Sequence, residues 1–217
     1  MLVLLLAALL ETTAPLTKIT SVGRDFPATP NPSERYVIYL HGRIVEDHGL
    51  QPRDPQFGVY HYEGILRTLE AHGLRVISEA RPQGADPQVY ARRVADQVTR
   101  LIQRGVPAEH ITVIGASKGA VIAMLVSTKV ADPRIRYVLL SDCNDDVFKR
   151  FDIRLHGAVL SIYDEGDPVG GTCQKFFDRA AALSQRREIA LHLGIGHALL
   201  YGPRSEWIDP AVRWAKE

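Results

Sequence analysis

The sequence predicts an α/β fold, a mostly parallel sheet of about six strands with helices on both faces. Two observations lead there. From residue 36 onward, short apolar runs of strand length alternate with longer stretches of helical character, the pattern of strand–helix–strand units. And 217 residues with an ordinary share of apolar side chains suit one domain that buries its core without staples. No repeat, low-complexity tract or second domain interrupts the pattern.

The first element is a leader. Leu2 to Leu10 is uninterrupted Leu, Val and Ala, followed by Glu11-Thr12-Thr13-Ala14. Its length suits the core of a signal peptide and is too short to span a bilayer. No Lys or Arg precedes it, and Pro15 follows the best small-residue cleavage site. The composition of residues 1–14 favours export, to the periplasm or outside the cell. A cytoplasmic protein results if the run is instead a buried first element of the fold. Residues 15–35, rich in Pro, Thr and Ser, read as an N-terminal arm, and residues 36–217 as the single domain.

Within that domain the strands read Tyr36–Leu40, Leu74–Ser78, Ile111–Gly115, Ile135–Ser141, Ala158–Tyr163 and Glu188–Leu193. The helices read Tyr62–Ala71, Pro87–Arg104, Lys118–Thr128, Gln174–Leu183 and Ser205–Trp214. Pro87 in a first turn and Gly105 just past an end fit helix start and stop chemistry. The stretch Arg43 to Gly58, with Gly49, Pro52 and Pro55, reads as a loop walling a pocket. About 14 residues between Cys143 and Gly157 leave no room for a substantial lid.

Formal charge is +1 with acids and bases interspersed, so neither nucleic acid nor a polybasic membrane surface is indicated as a partner. Cys143 and Cys173 lack metal-ligand spacing, and Glu46-Asp47-His48 shows none either. No glycine-rich phosphate loop follows the first strand, and Gly170-Gly171 reads as a turn. The sequence thus indicates no metal and no cofactor. Both cysteines fall just past strand ends. They are a disulfide bracing that rim in an exported protein, or two thiols in a reducing cytosol. Spacing does not choose, because a bond needs Cα atoms within about 7 Å.

The chemistry centres on Gly115-Ala116-Ser117-Lys118-Gly119, between the strand Ile111–Gly115 and the helix from Lys118. G-x-S-x-G at a strand-to-helix turn projects a serine hydroxyl above the sheet, and the glycines leave room for the sharp turn. Downstream come Asp164-Glu165-Gly166-Asp167 after one strand and Gly194-Ile195-Gly196-His197 after another. Upstream, Tyr36–Leu40 runs into His41-Gly42. With the order Ser, Asp, His, the chain from about Tyr36 to Trp214 resembles the α/β-hydrolase superfamily, as a small lidless serine esterase.

That resemblance implies roles. Ser117 is the nucleophile, and His197, in a loop after the last strand, is the general base. His192 is the competitor, read as a packed or hydrogen-bonded histidine within the strand. Asp167 aligns with the family's acid. Asp164, in the slot of a family glycine, is the alternative, and Asp142 after the preceding strand is a third. Backbone N–H groups of Lys118 and of Arg43 or Ile44 form the oxyanion hole, with His41 structural. The side chains of Lys118 and Arg43 either face an anionic substrate group or pair with acids such as Glu46, Asp142 or Asp145. Phe57, Tyr60 and Tyr62 line an acyl pocket or form a buried face.

The expected activity is cleavage of a small-molecule carboxylic ester through an acyl-enzyme. Thioesters, amides and acyl transfer use the same residues. Two other functions compete: a catalytically idle scaffold that binds a ligand or partner, and chemistry at Cys143 or Cys173, neither of which sits on an elbow.

Overall fold

The computed structural model describes residues 24–217. The apolar leader and residues 15–23 of the arm lie outside the described residues. From β1 (Tyr36–Leu40) the chain enters a short helix, α1 (Arg43–His48), and a small hairpin, β2 (Arg53–Asp54) and β3 (Gly58–Val59). Helix α2 (Tyr62–Ala71) leads to β4 (Arg75–Ile77), and α3 (Pro87–Gln103) to β5 (Ile111–Ala116). Then follow α4 (Lys118–Val130), β6 (Arg136–Leu140), α5 (Asp145–Arg150) and β7 (His156–Asp164). Helix α6 (Gln174–Asp178), β8 (Ala182–Leu191) and α7 (Ser205–Lys216) complete it.

Six strands form one sheet in the order β4-β1-β5-β6-β7-β8, with every neighbouring pair parallel. Successive side chains of a strand point to opposite faces, so each strand feeds two cores. Ile38, Val113, Leu139 and Val159 pack with α3 and α4. Val37, Ile114, Val138 and Leu160 pack with α2 and α7 on the other face. Helices therefore cover both faces, as the sequence predicts.

Local chemistry explains the covering helices. The Asp86 carboxylate caps α3 by accepting the N–H groups of Gln88 and Val89, with Pro87 at the first position. Val94, Val98 and Leu101 recur at helical spacing and are buried. Helix α4 is different: Gly119 to Ser127 are all buried, because the sheet and α3 enclose it.

The strand order places the site. The chain crosses from β1 out to β4 and then back to β5 on the other side of β1. Connections after β1 and β5 thus part in opposite directions and leave a crevice at the carboxyl ends of these strands. Gly42 follows β1 and Ser117 follows β5, one on each wall.

Three expectations need correction. The stretch from Arg43 is not all loop, since its first six residues coil into α1 and the β2–β3 hairpin follows. The helix from Gln174 stops at Asp178, and β8 begins at Ala182, well before Glu188. The exposed edge of β7 is the reason. Its backbone groups need partners, and pairing from His156 opposite Ala182 supplies them against the helical preference of the Ala-rich segment. Among the described residues β8 is an edge strand of the sheet, and it carries the charged and polar run Gln185-Arg186-Arg187-Glu188. Finally, His192 has the polar partner that one reading gave it, Glu165 at 3.0 Å, but it lies exposed just past β8 and not within the strand.

Candidate active site

Ser117 sits between β5 and α4 with φ 51° and ψ −126°, a conformation an L-residue adopts only under strain. Such a residue costs about 1–3 kcal/mol, repaid by the packing around it. Its N–H donates to the Leu140 carbonyl at 2.9 Å, and its carbonyl accepts the Ala120 N–H at 2.6 Å. The two motif glycines are sterically required. A Cβ on Gly115 would overlap the carbonyl of Gly119, and a Cβ on Gly119 would overlap the carbonyl of Leu40. Thus the elbow can press directly on the end of β1. Gly42 completes the approach, since a Cβ there would touch Ser117 Cβ at 3.6 Å.

His197 lies in a helical turn, Gly196–Tyr201, whose residues Leu199, Leu200 and Tyr201 are buried beneath it. Its Nδ1 is 2.8 Å from Asp167 Oδ2. The other oxygen of Asp167 accepts the Val169 N–H at 2.8 Å, so both lone-pair sets of this buried carboxylate are directed. Asp164 does something else. It accepts the N–H groups of Leu193, Ile195 and Gly196 at 2.6–2.8 Å. Burial works against its charge, but these N–H donors outweigh it and hold its pKa below the ordinary carboxylate value. Asp164 therefore fastens the loop that presents His197, while Asp167 fastens the ring.

Ser117 and His197 open on one cavity of about 760 Å³. The Ser117 hydroxyl makes no hydrogen bond among the described residues. Arg43, Ile44 and Lys118 line the same cavity. As first residues of α1 and α4, Arg43 and Lys118 carry N–H groups with no acceptor inside their helices. Their side chains take the paired arrangement: Lys118 Nζ is 2.5 Å from Glu46, and Arg43 is 3.4 Å from Asp47.

His41 is buried behind this wall. The Arg81 backbone N–H donates to its Nε2 at 2.9 Å, so Nδ1 carries the proton and donates to the Gly42 carbonyl at 2.8 Å. Burial and the adjacent Arg81 cation lower its pKa to about 3, which keeps the ring neutral. Arg81 itself was not singled out by sequence. It lies on the connection after β4, with no motif to mark it, and only the fold brings it to His41.

Of the three aromatic candidates, Tyr60 lines the cavity, and its hydroxyl pairs with that of Tyr39 at 2.7 Å. Phe57 packs against the His197 ring at 5.8 Å. Tyr62 is fully buried on α2 and bonds Ser78. Asp142 also faces the cavity and accepts from Asn144 Nδ2 at 2.9 Å. Burial, with the nearby Asp167 charge adding to it, pushes its pKa up to about 8. Cys143 and Cys173 form a disulfide, Cα atoms 5.0 Å apart, tying the loop of Asp142 to the segment after Asp167. Among the described residues no three His, Cys, Asp or Glu side chains gather as a metal site requires. No helix among them is long and apolar enough to cross a membrane.

No protein-family model and no curated protein matches the sequence. Solved structures do match in shape. A YdeN-like hydrolase from Pectobacterium atrosepticum, 16% identical, aligns over 84% of this chain and 91% of its own with a TM-score of 0.52. A protein from Agrobacterium tumefaciens described as an α/β-hydrolase is 18% identical, over 87% of both chains, with a TM-score of 0.54. The Francisella virulence factor BioJ is 13% identical, over 86% of this chain and 78% of its own, with a TM-score of 0.52. Identities this low are a likeness of fold. With the parallel six-stranded sheet, the two helical layers and the strand-to-helix elbow, they make the chain an α/β-hydrolase in fold.

Proposed function

We propose that the protein is a serine hydrolase that cleaves a small carboxylic ester through an acyl-enzyme. The observation that carries the reading is the 2.8 Å contact of His197 Nδ1 with Asp167, on a histidine that shares its cavity with the strained Ser117. Asp167 fixes the tautomer that leaves Nε2 free as a base. Ser117 Oγ attacks the ester carbonyl carbon and passes its proton to His197 Nε2. The tetrahedral oxyanion accepts the N–H groups of Lys118 and of Arg43 or Ile44. His197 returns the proton to the departing alkoxide as the acyl–oxygen bond breaks. Water, deprotonated by His197, then attacks the acyl-enzyme and releases the acid and Ser117. Fold neighbours named as hydrolases support the same class.

The disulfide and the apolar leader together support export, to an oxidising compartment where such bonds persist.

A fluorophosphonate probe tests the chemistry. Wild type becomes labelled and turns over p-nitrophenyl esters, and Ser117→Ala does neither. A folded wild type that resists both the probe and an ester and thioester panel favours the idle binding scaffold.

A further inference from the structure

Glu46 is the one acid of α1 that faces inward, and its carboxylate is wholly buried. It is not spent on a helix cap. One oxygen receives Arg81 Nε at 2.8 Å and the other receives Lys118 Nζ at 2.5 Å. Arg81 comes from the connection after β4, and Lys118 follows the elbow serine. A single carboxylate thus ties together three segments: α1, the connection after β4 and the start of α4.

The tie continues through Arg81 to the backbone. Arg81 Nη2 donates to the His41 carbonyl, and the Arg81 N–H donates to His41 Nε2. His41 Nδ1 in turn donates to the Gly42 carbonyl. Across a trans peptide, the C=O of one residue and the N–H of the next point in opposite directions. All peptides here are trans. With its His41 carbonyl partner taken by Arg81, the first peptide turns the Gly42 N–H the other way, to Tyr60 Oη at 3.5 Å. With the Gly42 carbonyl taken by His41, the second turns the Arg43 N–H away from the buried ring, on the segment that lies against Ser117.

We propose that Glu46 is the positioning residue of the oxyanion hole: it holds Arg81 and Lys118 on its two oxygens, and so sets the Gly42–Arg43 peptide against the start of α4 so that the Arg43 and Lys118 N–H groups converge above Ser117. This rests on the hydrolase reading and selects Arg43 over Ile44 as the second donor. A buried cation–carboxylate–cation bridge is costly to desolvate, and geometry is what it provides in return.

Glu46→Gln strands Arg81 beside a neutral amide, and this variant is open to misfolding. The paired variant Glu46→Met with Arg81→Met removes the two fully buried charges, leaves the partly exposed Lys118 to water, and apolar replacement of a buried pair is generally tolerated. Its thermal midpoint, kcat and KM for p-nitrophenyl butyrate, and backbone amide resonances are measured beside wild type. The folded paired variant is expected to lose about 10–100-fold in kcat, part of the 10²–10³ carried by a whole donor. KM should stay within about threefold, because the donors act on the transition state. A folded paired variant with wild-type kcat, or one in which only KM changes, overturns the proposal.

The spectra separate this from failure of the hydrolase reading. If wild type neither labels nor turns over esters, that reading fails on its own. The Gly42 and Arg43 amide resonances still move in the paired variant if Glu46 and Arg81 set that peptide. Unmoved resonances overturn the positioning role whatever the activity.

Discussion

Asp167 holds the His197 ring, Nδ1 to Oδ2 at 2.8 Å, while Asp164, three residues earlier, holds only the backbone of the loop that carries it. Two carboxylates of one turn therefore have separable tasks. Asp167→Asn is expected to lower kcat about 10³–10⁴-fold, as loss of the correct tautomer does, with little change in thermal midpoint. Asp164→Asn turns an amide donor toward N–H groups and is expected to cost about 1–3 kcal/mol per donor left unpaired. Urea denaturation and steady-state kinetics on both variants distinguish them. The pKa of Asp164 is lowered by folding, so its stabilising effect is present above its unfolded value and is lost as pH falls through the folded one. Acid unfolding of Asp164→Asn should accordingly be shallower than that of wild type.

Gly119→Ala should damage stability and activity together. Its Cβ would enter the carbonyl of Leu40, and neither strand end nor elbow has slack to move. We expect a loss of about 1–3 kcal/mol or more, the usual cost of overpacking a close-packed site. Unchanged stability by calorimetry would contradict so close an approach of the elbow to β1.

Asp142 makes stability depend on pH in the opposite sense to Asp164. Its folded pKa is about 8, against an ordinary aspartate value near 4 in the unfolded chain. Between those values the folded protein retains a proton that the unfolded chain releases, so stability falls as pH rises. Asp142→Asn keeps an oxygen for Asn144 and removes the slope. Its thermal midpoint should exceed that of wild type at pH 8, and the difference should shrink toward pH 4. An equal difference at both pH values contradicts the assignment.

The disulfide closes a loop of 30 residues between Cys143 and Cys173, containing Asp167 and all of β7. Cross-linking a loop of this length stabilises by about 3–4 kcal/mol in the chain-entropy account. Cys143→Ala with Cys173→Ala should lose an amount of that order, measured by denaturant unfolding, and reductant should destabilise wild type but not the double variant. His197 keeps its contact with Asp167 independently of the bridge, so activity below the melting range should persist.

What the sequence determined by itself was everything set by local chemistry and chain order. Strand–helix alternation indicated the parallel sheet and its two covering layers, because the periodicity of burial is written residue by residue. G-x-S-x-G between Ile111–Gly115 and the following apolar helix marked Ser117, because a turn this sharp tolerates only small residues around it. The order of Ser117, the Asp164–Asp167 turn and His197 narrowed the remaining partners to a few residues. Only the tertiary structure separates the contacts of Asp167 from those of Asp164, since both occupy one turn and differ in which group of the His197 loop they meet. It also stopped α6 at Asp178, where the unpaired edge of β7 outweighed helical preference. Glu46 was legible only as one of several acids that Lys118 could pair with, and its tie to Arg81 was illegible for the same reason. The two lie 35 residues apart, carry no motif, and acquire meaning only when α1, the connection after β4 and the elbow are packed together. Spacing along the chain records what a segment does to itself; a buried charge records which segments meet, and that is settled by packing alone.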